Sequence, residues 1–420
     1  MDADFLLIHA DQLATADDGE PGPADHADRL NNLGIIDGGA LAALDGKIIA
    51  VGKTTDILDQ VTISKWTRVI NASGSMVLPG FVDPHTHLVF AGSREDEFEL
   101  RAQGKSYREL SVDGGIRSTV RRLRQTSEHQ LLGSALQRLD RLIAYGTTTL
   151  EAKSGYGLST ESELKMLRII QRVGEISGLD VIPTFLGAHE VPDEYRNDPD
   201  AYVELVINEM IPAVTKENLA RFCDIFCESH VFNVDQSRRI LQAAKDAGMG
   251  LKLHADELTS IGGAELAAEM GAVSADHLVA VSDHGIERMA QEGVIPVLLP
   301  GTTFSLGIKD YVPARKMIDA GLPVALATDL NPGSCYTESM QIVITLATLM
   351  LKMTAAEAIT AATRNSAYAI GEGKNCGSLT VGKNADMIIC DIPSYKYLPY
   401  HFGVNHVSIV IKNGKIIHAN

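Results

Sequence analysis

The sequence predicts an α/β protein, a (β/α)8 TIM barrel joined to a second, small β-sandwich-like domain formed by both chain termini. Three observations carry that prediction. Short apolar runs alternate with helix-length segments between residues 76 and 371, the pattern of parallel strands joined by helical crossovers. Ionisable residues follow directly after several of those runs. Residues 1–75 and 372–420 instead carry short β-like runs with hairpin turn signals.

In chain order, residues 41–51 place Asp45-Gly46 between apolar runs, the composition of a two-residue hairpin turn. Residues 13–33 are polar and irregular. Barrel strands are expected at 76–85, 147–152, 181–186, 222–227, 250–254, 272–276, 294–299 and 323–328. An open doubly wound sheet would more naturally carry a glycine-rich nucleotide fingerprint after its first strand, and Leu78-Pro79-Gly80-Phe81-Val82-Asp83 is not one. The apolar stretch 342–362 is interrupted by Lys352 and Glu357 and reads as a buried helix, not a membrane span. Residues 385–390 form a strand-like run, and 407–418 has Asn413-Gly414 as its turn. Because chain ends often lie close together, residues 1–75 and 372–420 are expected to build one composite domain beside a catalytic barrel at 76–371.

The 420 residues are 45% apolar and 22% charged, which excludes disorder as the main state. Net charge is −17, and the one short basic cluster is Arg121-Arg122-Leu123-Arg124. A role on nucleic acid or an anionic membrane therefore lacks its electrostatic footprint, and an anionic small-molecule substrate must be met by a local cation. Residues 1–10 carry Asp2 and Asp4 and no secretory pattern, and five scattered cysteines suit a reducing compartment. A cytoplasmic protein is expected.

In a barrel, chemistry gathers at the carboxyl ends of the strands, where the βα loops converge. The sequence places His85-Thr86-His87, His189-Glu190, His254-Ala255-Asp256-Glu257, Asp276-His277 and Asp329 at such ends. Residues two apart in extended chain share a face, so His85 and His87 aim both imidazoles at one point. Neutral imidazole suits zinc and iron, and His254 with Asp329 are the best candidates to complete a metal site that leaves room for water. Glu257, three residues past His254, is placed to carry a proton; its alternative is an acid capping the next helix. His277 is a further catalytic candidate, or else a core histidine bonded to a carbonyl. Cys223 and Cys227 sit inside an apolar strand without a second pair and read as buried small hydrophobes.

The run Pro79-Gly80-Phe81-Val82-Asp83-Pro84-His85-Thr86-His87, the isolated His254 and Ala327-Thr328-Asp329 resemble the metal-dependent amidohydrolase superfamily, and the resemblance covers the whole chain. Within that superfamily, residues 85–94, 151–157, 187–190, 254–257 and 329–334 are similar to members that act in histidine degradation. Those members open the cyclic amide of 4-imidazolone-5-propanoate to give N-formimidoyl-L-glutamate. The resemblance implies one zinc or iron ion on His85, His87, His254 and Asp329, and a homodimer; the catalytic candidates beside that ion are Glu257, His277, Asp329 and His189. It also implies that Arg94, Tyr156, His189, Glu257, Asn331, Gly333 and Ser334 surround the substrate.

Each implied role has a chemical reason and an alternative. Arg94 offers a planar charged fork for the propionate, or is a surface arginine beside Glu95, Asp96 and Glu97. Tyr156 donates its hydroxyl from a loop that glycines make mobile, or simply packs. His189 and His277 can each polarise the lactam carbonyl or bond a ring nitrogen. Gly333 permits close approach of backbone to ligand while Asn331 and Ser334 read an amide edge, or the segment is only a turn. Superfamily members with two metals resemble one another in a carboxylated lysine ending strand four. Residues 222–228 contain none and Lys153 ends strand two instead, so a single metal is implied. The long segment 88–118, with Gly92, Gly104, Gly114 and Gly115, is expected to act as a lid. Two rival functions are a mononuclear deaminase of a nitrogen heterocycle and a non-catalytic barrel scaffold.

Overall fold

The computed structural model describes residues 1–105 and 114–420. Its strands are β1 (Phe5–Ala14), β2 (Ile35–Leu44), β3 (Lys47–Lys53), β4 (Arg68–Asn71), β5 (Met76–Pro79), β6 (Phe81–Asp83), β7 (Thr147–Lys153), β8 (Asp180–Ala188), β9 (Phe222–Cys227), β10 (Gly250–Ala255), β11 (Ser274–His277), β12 (Ile295–Leu298), β13 (Ala325–Leu326), β14 (Met387–Cys390), β15 (Val407–Lys412) and β16 (Lys415–Ala419). Strands β6 to β13 pair in sequence order, all parallel, as an eight-stranded barrel. The seam between β13 and β6 closes just past the strand ends. There the amide of Asp329 donates to the carbonyl of His85 at 3.1 Å and that of His87 to Leu330 at 2.9 Å. Closure at this rim holds the His85–His87 segment against Asp329, and the Asp83 carboxylate strengthens it by accepting the Thr328 amide and hydroxyl.

The single strand expected over 76–85 is two strands in different sheets. β5 pairs with β1 and β14 in the small domain, and β6 opens the barrel. The crossing falls at Gly80, whose amide bonds to Asp386 while the next amide, of Phe81, bonds to Gly146. A Cβ at Gly80 would lie 2.3 Å from the Thr148 side chain, so the change of sheet requires glycine.

The terminal strands β1 to β5 and β14 to β16 form one sheet, with the order β16-β15-β14-β5-β1-β2-β3 and β4 beside β1. The β2–β3 hairpin also meets the segment before β14, the Ile48 amide donating to the Lys383 carbonyl at 2.9 Å. Phe5, Leu7, Leu41, Val77, Met387 and Ile411 form a buried apolar cluster on this sheet. Both expected hairpin turns are present: Asp45-Gly46 has φ values of 50° and 78°, and Asn413-Gly414 of 49° and 71°. Two successive left-handed residues are what a type I′ hairpin demands.

Two local expectations are corrected. The single buried helix over 342–362 is two helices, Met340–Leu349 and Ala355–Thr360. Thr354 caps the second through a reciprocal pair with Glu357, and that local bonding competes with continuing the first helix. The irregular stretch 13–33 contains a short helix, Ala27–Asn31. Among the described residues, no helix is long and apolar enough to cross a membrane. Cys223 and Cys227 are buried and free. Of the segment expected to form a lid, residues 106–113 lie outside the described residues; its flanks include helices Glu95–Ala102 and Gly115–Gln125.

Candidate active site and metal centre

His87, His189, His254, Glu257, His277 and Asp329 reach one cleft, with His85 packed against them and Asp276 behind it, whereas Glu190 bonds the Val191 amide and Asp256 the amides of Ile261, Gly263 and Ala264. The ring centroids of His85 and His254 are 4.5 Å apart, His85 and His87 5.4 Å, and His87 and His254 5.6 Å. One nitrogen from each of these three rings lies within 4.8 Å of the others. An Asp329 oxygen sits 3.5 Å from His85 Nε2 and 3.6 Å from His87 Nε2. Asp329 has a left-handed backbone, φ 53°, and its other oxygen accepts the Thr302 hydroxyl at 2.6 Å. Its carboxylate is thereby fixed from behind.

Whether these residues suit a metal is decided by their unpaired atoms. His85 Nε2 and His254 Nε2 are buried with no hydrogen-bond partner, an arrangement that costs free energy unless a ligand completes it. The opposite nitrogens are both engaged: His85 Nδ1 with Asp276 at 2.6 Å and His254 Nδ1 with Asp224 at 3.1 Å. A carboxylate on Nδ1 fixes the ring so that the Nε2 lone pair faces a cation. Burial and neighbouring positive groups hold His85 and His87 well below the ordinary histidine range, so both are neutral. Burial also disfavours charge on His254, but Asp224 outweighs it and raises this ring, so the cluster favours positive charge there. The donor set fits a divalent cation of the zinc or iron class.

Beneath the histidines lies a charged layer that the sequence reading did not assign. Lys153, fully buried, places its ammonium 2.7 Å from Asp224, 2.8 Å from Glu151 and 3.6 Å from Asp276. Lys252 adds a second buried cation 3.3 Å from Glu151. Burial works against the Lys153 charge, yet the surrounding carboxylates hold it above its ordinary range. One signal was legible: Asp224 and Lys252 are charged residues inside largely apolar strands, and such residues are buried only when paired.

Above the histidines a narrow cleft is lined by His87, Arg94, Tyr156, His189, Glu257, His277, Asp329, Asn331 and Ser334, together with Ile116 and Phe226, which the sequence reading missed. Arg94 is not a surface residue: it is 6% exposed and donates from Nε to Glu97 at 2.9 Å. Its guanidinium lies over Gly333, where a Cβ would come within 2.2 Å of Nη1. The His189 ring stacks on His87 at 4.9 Å and bonds through Nδ1 to the Gly155 carbonyl at 3.0 Å. Burial, then the nearby His254, lowers His189 to about 3, so it is a neutral imidazole. Glu257 lies 3.7 Å from His277 Nδ1. Burial, then the Asp329 charge, raises Glu257 to about 8, a carboxyl able to hold a proton near neutral pH. Asn331 uses its amide within its own turn, accepting from Gly333 at 2.8 Å and Ser334 at 2.7 Å while donating to the Asp329 carbonyl at 2.8 Å. The turn alternative is thus real, and the turn itself forms one wall.

The chain matches the model of the amidohydrolase family over residues 76–417. It is 48% identical over 418 residues to the imidazolonepropionase of Alkaliphilus metalliredigens, covering 99% of this chain and 98% of that one. It is 49% identical over 416 residues to the imidazolonepropionase of Symbiobacterium thermophilum, covering 99% and 97%. Among solved structures, guanine deaminase from E. coli superposes with a TM-score of 0.76 at 15% identity, covering 99% of both chains. An adenosine deaminase from Xanthomonas campestris with bound zinc gives 0.70 at 19%, covering 99% and 93%. These two likenesses speak for the shared fold. With its barrel, its converging imidazoles and these full-length likenesses, the chain belongs to the amidohydrolase family and, within it, to the imidazolonepropionases.

Proposed function

We propose that the chain hydrolyses the cyclic amide bond of 4-imidazolone-5-propanoate to give N-formimidoyl-L-glutamate. The observation that carries this reading is the meeting, in one cleft, of three imidazoles, the Asp329 carboxylate and the buried Arg94 fork. His85, His87, His254 and Asp329 would hold a single zinc or iron ion. When bound, it supplies a Lewis acid that makes water a nucleophile near neutral pH.

The chain's own groups do the rest. Arg94 binds the propionate carboxylate, with the Tyr156 hydroxyl beside it, and so sets which ring carbon faces the metal ligands. Glu257 accepts the proton of the attacking water with the Asp329 carboxylate beside it, the pair being raised to about 8 and about 6, chiefly by burial. His189 or His277 supports negative charge growing on the carbonyl oxygen. The water oxygen bonds to the carbonyl carbon, the bond from that carbon to the ring nitrogen breaks, and Glu257 passes its proton to the departing nitrogen. Asn331, Gly333 and Ser334 form the wall against which the ring lies. In this reading the enzyme works in the cytoplasm as a homodimer on a small anionic molecule, with no nucleic acid or membrane partner.

The test is to incubate the purified protein with imidazolonepropionate while following ring absorbance, formimidoylglutamate and ammonia. Loss of the ring with stoichiometric formimidoylglutamate supports the reading. Ammonia release would make the chain a deaminase, and no turnover with no bound metal would make it a scaffold. Arg94→Ala should raise KM for the propionate substrate and leave a tail-less imidazolone little affected.

A further inference from the structure

The sequence reading makes the loop after β7 mobile because of its glycines. The structure shows it held. Glu163, in the first turn of helix Thr160–Ser177, is fully buried. Its carboxylate accepts backbone amides from Gly157 at 2.7 Å, from Leu158 at 2.8 Å and from Gly155 at 3.0 Å. The Ser154 hydroxyl donates to it as well. All of these neighbours are donors, so the position calls for an acceptor on both oxygens, which a carboxylate supplies and an amide does not. The helix N-terminus adds its own preference for negative charge. Two of the amides belong to residues with left-handed backbones, Gly155 at φ 104° and Leu158 at φ 50°, conformations that need outside bonding to persist.

The loop fixed in this way carries two features of the cleft. Tyr156 lies within it, its ring 5.6 Å from His87 and 5.3 Å from His189. The Gly155 carbonyl receives the His189 Nδ1. A carbonyl only accepts, so Nδ1 carries the ring proton and Nε2 is left as the acceptor of a neutral imidazole.

We propose that Glu163 is a positioning residue that assembles the substrate side of the cleft, presenting Tyr156 and, through the Gly155 carbonyl, fixing His189 as a hydrogen-bond acceptor for a ligand N–H. The proposal rests on the function given above and refines it: His189 meets a ring nitrogen that bears hydrogen, and the donor to the carbonyl oxygen is His277. Glu163 touches neither substrate nor metal ligands in this scheme.

The test compares Glu163→Gln with the parent enzyme in its metal-loaded form, using 4-imidazolone-5-propanoate. Glutamine keeps one accepting oxygen and turns an NH2 towards the remaining donors. KM is expected to rise roughly tenfold or more as the pre-formed cleft is lost, with kcat changed less than about threefold. Bound metal should stay near the parent value while the melting temperature falls modestly, as unsatisfied buried donors require; a merely structural residue would lower stability without moving the tautomer. Nitrogen NMR of labelled histidines, with the His189 signal assigned by His189→Asn, reads the tautomer without any substrate. The parent should show a protonated Nδ1 and the variant a mixture. Unchanged KM and an unchanged tautomer overturn the proposal, as does a loss of metal that accounts for the loss of activity. If Glu163→Gln does not fold, Gly157→Ala replaces it, since its Cβ would stand 2.6 Å from the Ser162–Glu163 backbone and 2.8 Å from the Glu163 carboxylate and so push the loop off both. Failure of the parent enzyme to turn over the substrate counts against the proposed function, whereas the tautomer measurement still decides the role of Glu163.

Discussion

Replacing Gly333 by alanine isolates the contribution of Arg94 placement without touching Arg94 itself. Gly333 has an ordinary backbone that alanine can adopt, but a Cβ there would lie 2.2 Å from Nη1, 2.3 Å from Cζ and 2.5 Å from Nη2 of Arg94. Carbon and nitrogen atoms rest at about 3.5 Å, so the guanidinium must retreat by roughly 1 Å. It is the far end of a flexible side chain, and its movement should cost the fold little. Catalysis is less tolerant: a misplacement of about 1 Å in a positioning group costs on the order of 10²-fold, equivalent to ~2.7 kcal/mol in the barrier. Steady-state kinetics on imidazolonepropionate should therefore show kcat/KM down about a hundredfold, while metal content and melting temperature hold. Because both changes act through one guanidinium, Gly333→Ala/Arg94→Ala should be no worse than Arg94→Ala alone. A kcat/KM within twofold of the parent, or fully multiplicative losses in the double variant, would refute the placement of Arg94 on the substrate.

Three further outcomes are expected. Asp276→Asn removes the charge on which His85 Nδ1 rests at 2.6 Å, and chelator competition should show metal affinity about 10- to 100-fold weaker; an unchanged dissociation constant would mean that His85 is oriented without it. Lys153→Met leaves Glu151 and Asp224 facing each other without their shared cation, so denaturant unfolding should show a loss of about 3–5 kcal/mol; equal stability would show that the charged layer is not coupled to folding. In the metal-free protein, burial raises Asp83 to about 7 and Glu257 to about 8. A carboxyl whose folded value lies above its unfolded one binds more protons when folded, so its contribution is complete at acid pH and disappears as pH rises through the folded value. Histidines of the unfolded chain are already neutral above about pH 7, so stability should fall between about pH 7 and 9, and a rise over that interval in urea titrations would contradict it.

The sequence by itself determined the barrel and the identity of the atoms at its rim. Eight apolar runs separated by helix-length spacers leave parallel closure as the economical arrangement, and residues such as His85, His254 and Asp329 follow those runs directly. Strand ends are local facts, and topology converts them into one site because all parallel strands point the same way. What depends on contacts between remote segments was hidden. Gly80 moves the chain between sheets because Thr148 stands where a side chain would be. Arg94 leaves the surface because Gly333, far along the chain, gives it a seat. Lys153 is stable in the interior only because β7, β9 and β11 bring three carboxylates to it, and the loop after β7 is held because Glu163 turns back into its amides while Arg124 reaches the carbonyls of Gly157 and Leu158. Periodicity registers which face of an element is apolar; it carries no record of which distant partner completes a buried charge or fills the space above a glycine, and those pairings exist only once the chain has closed on itself.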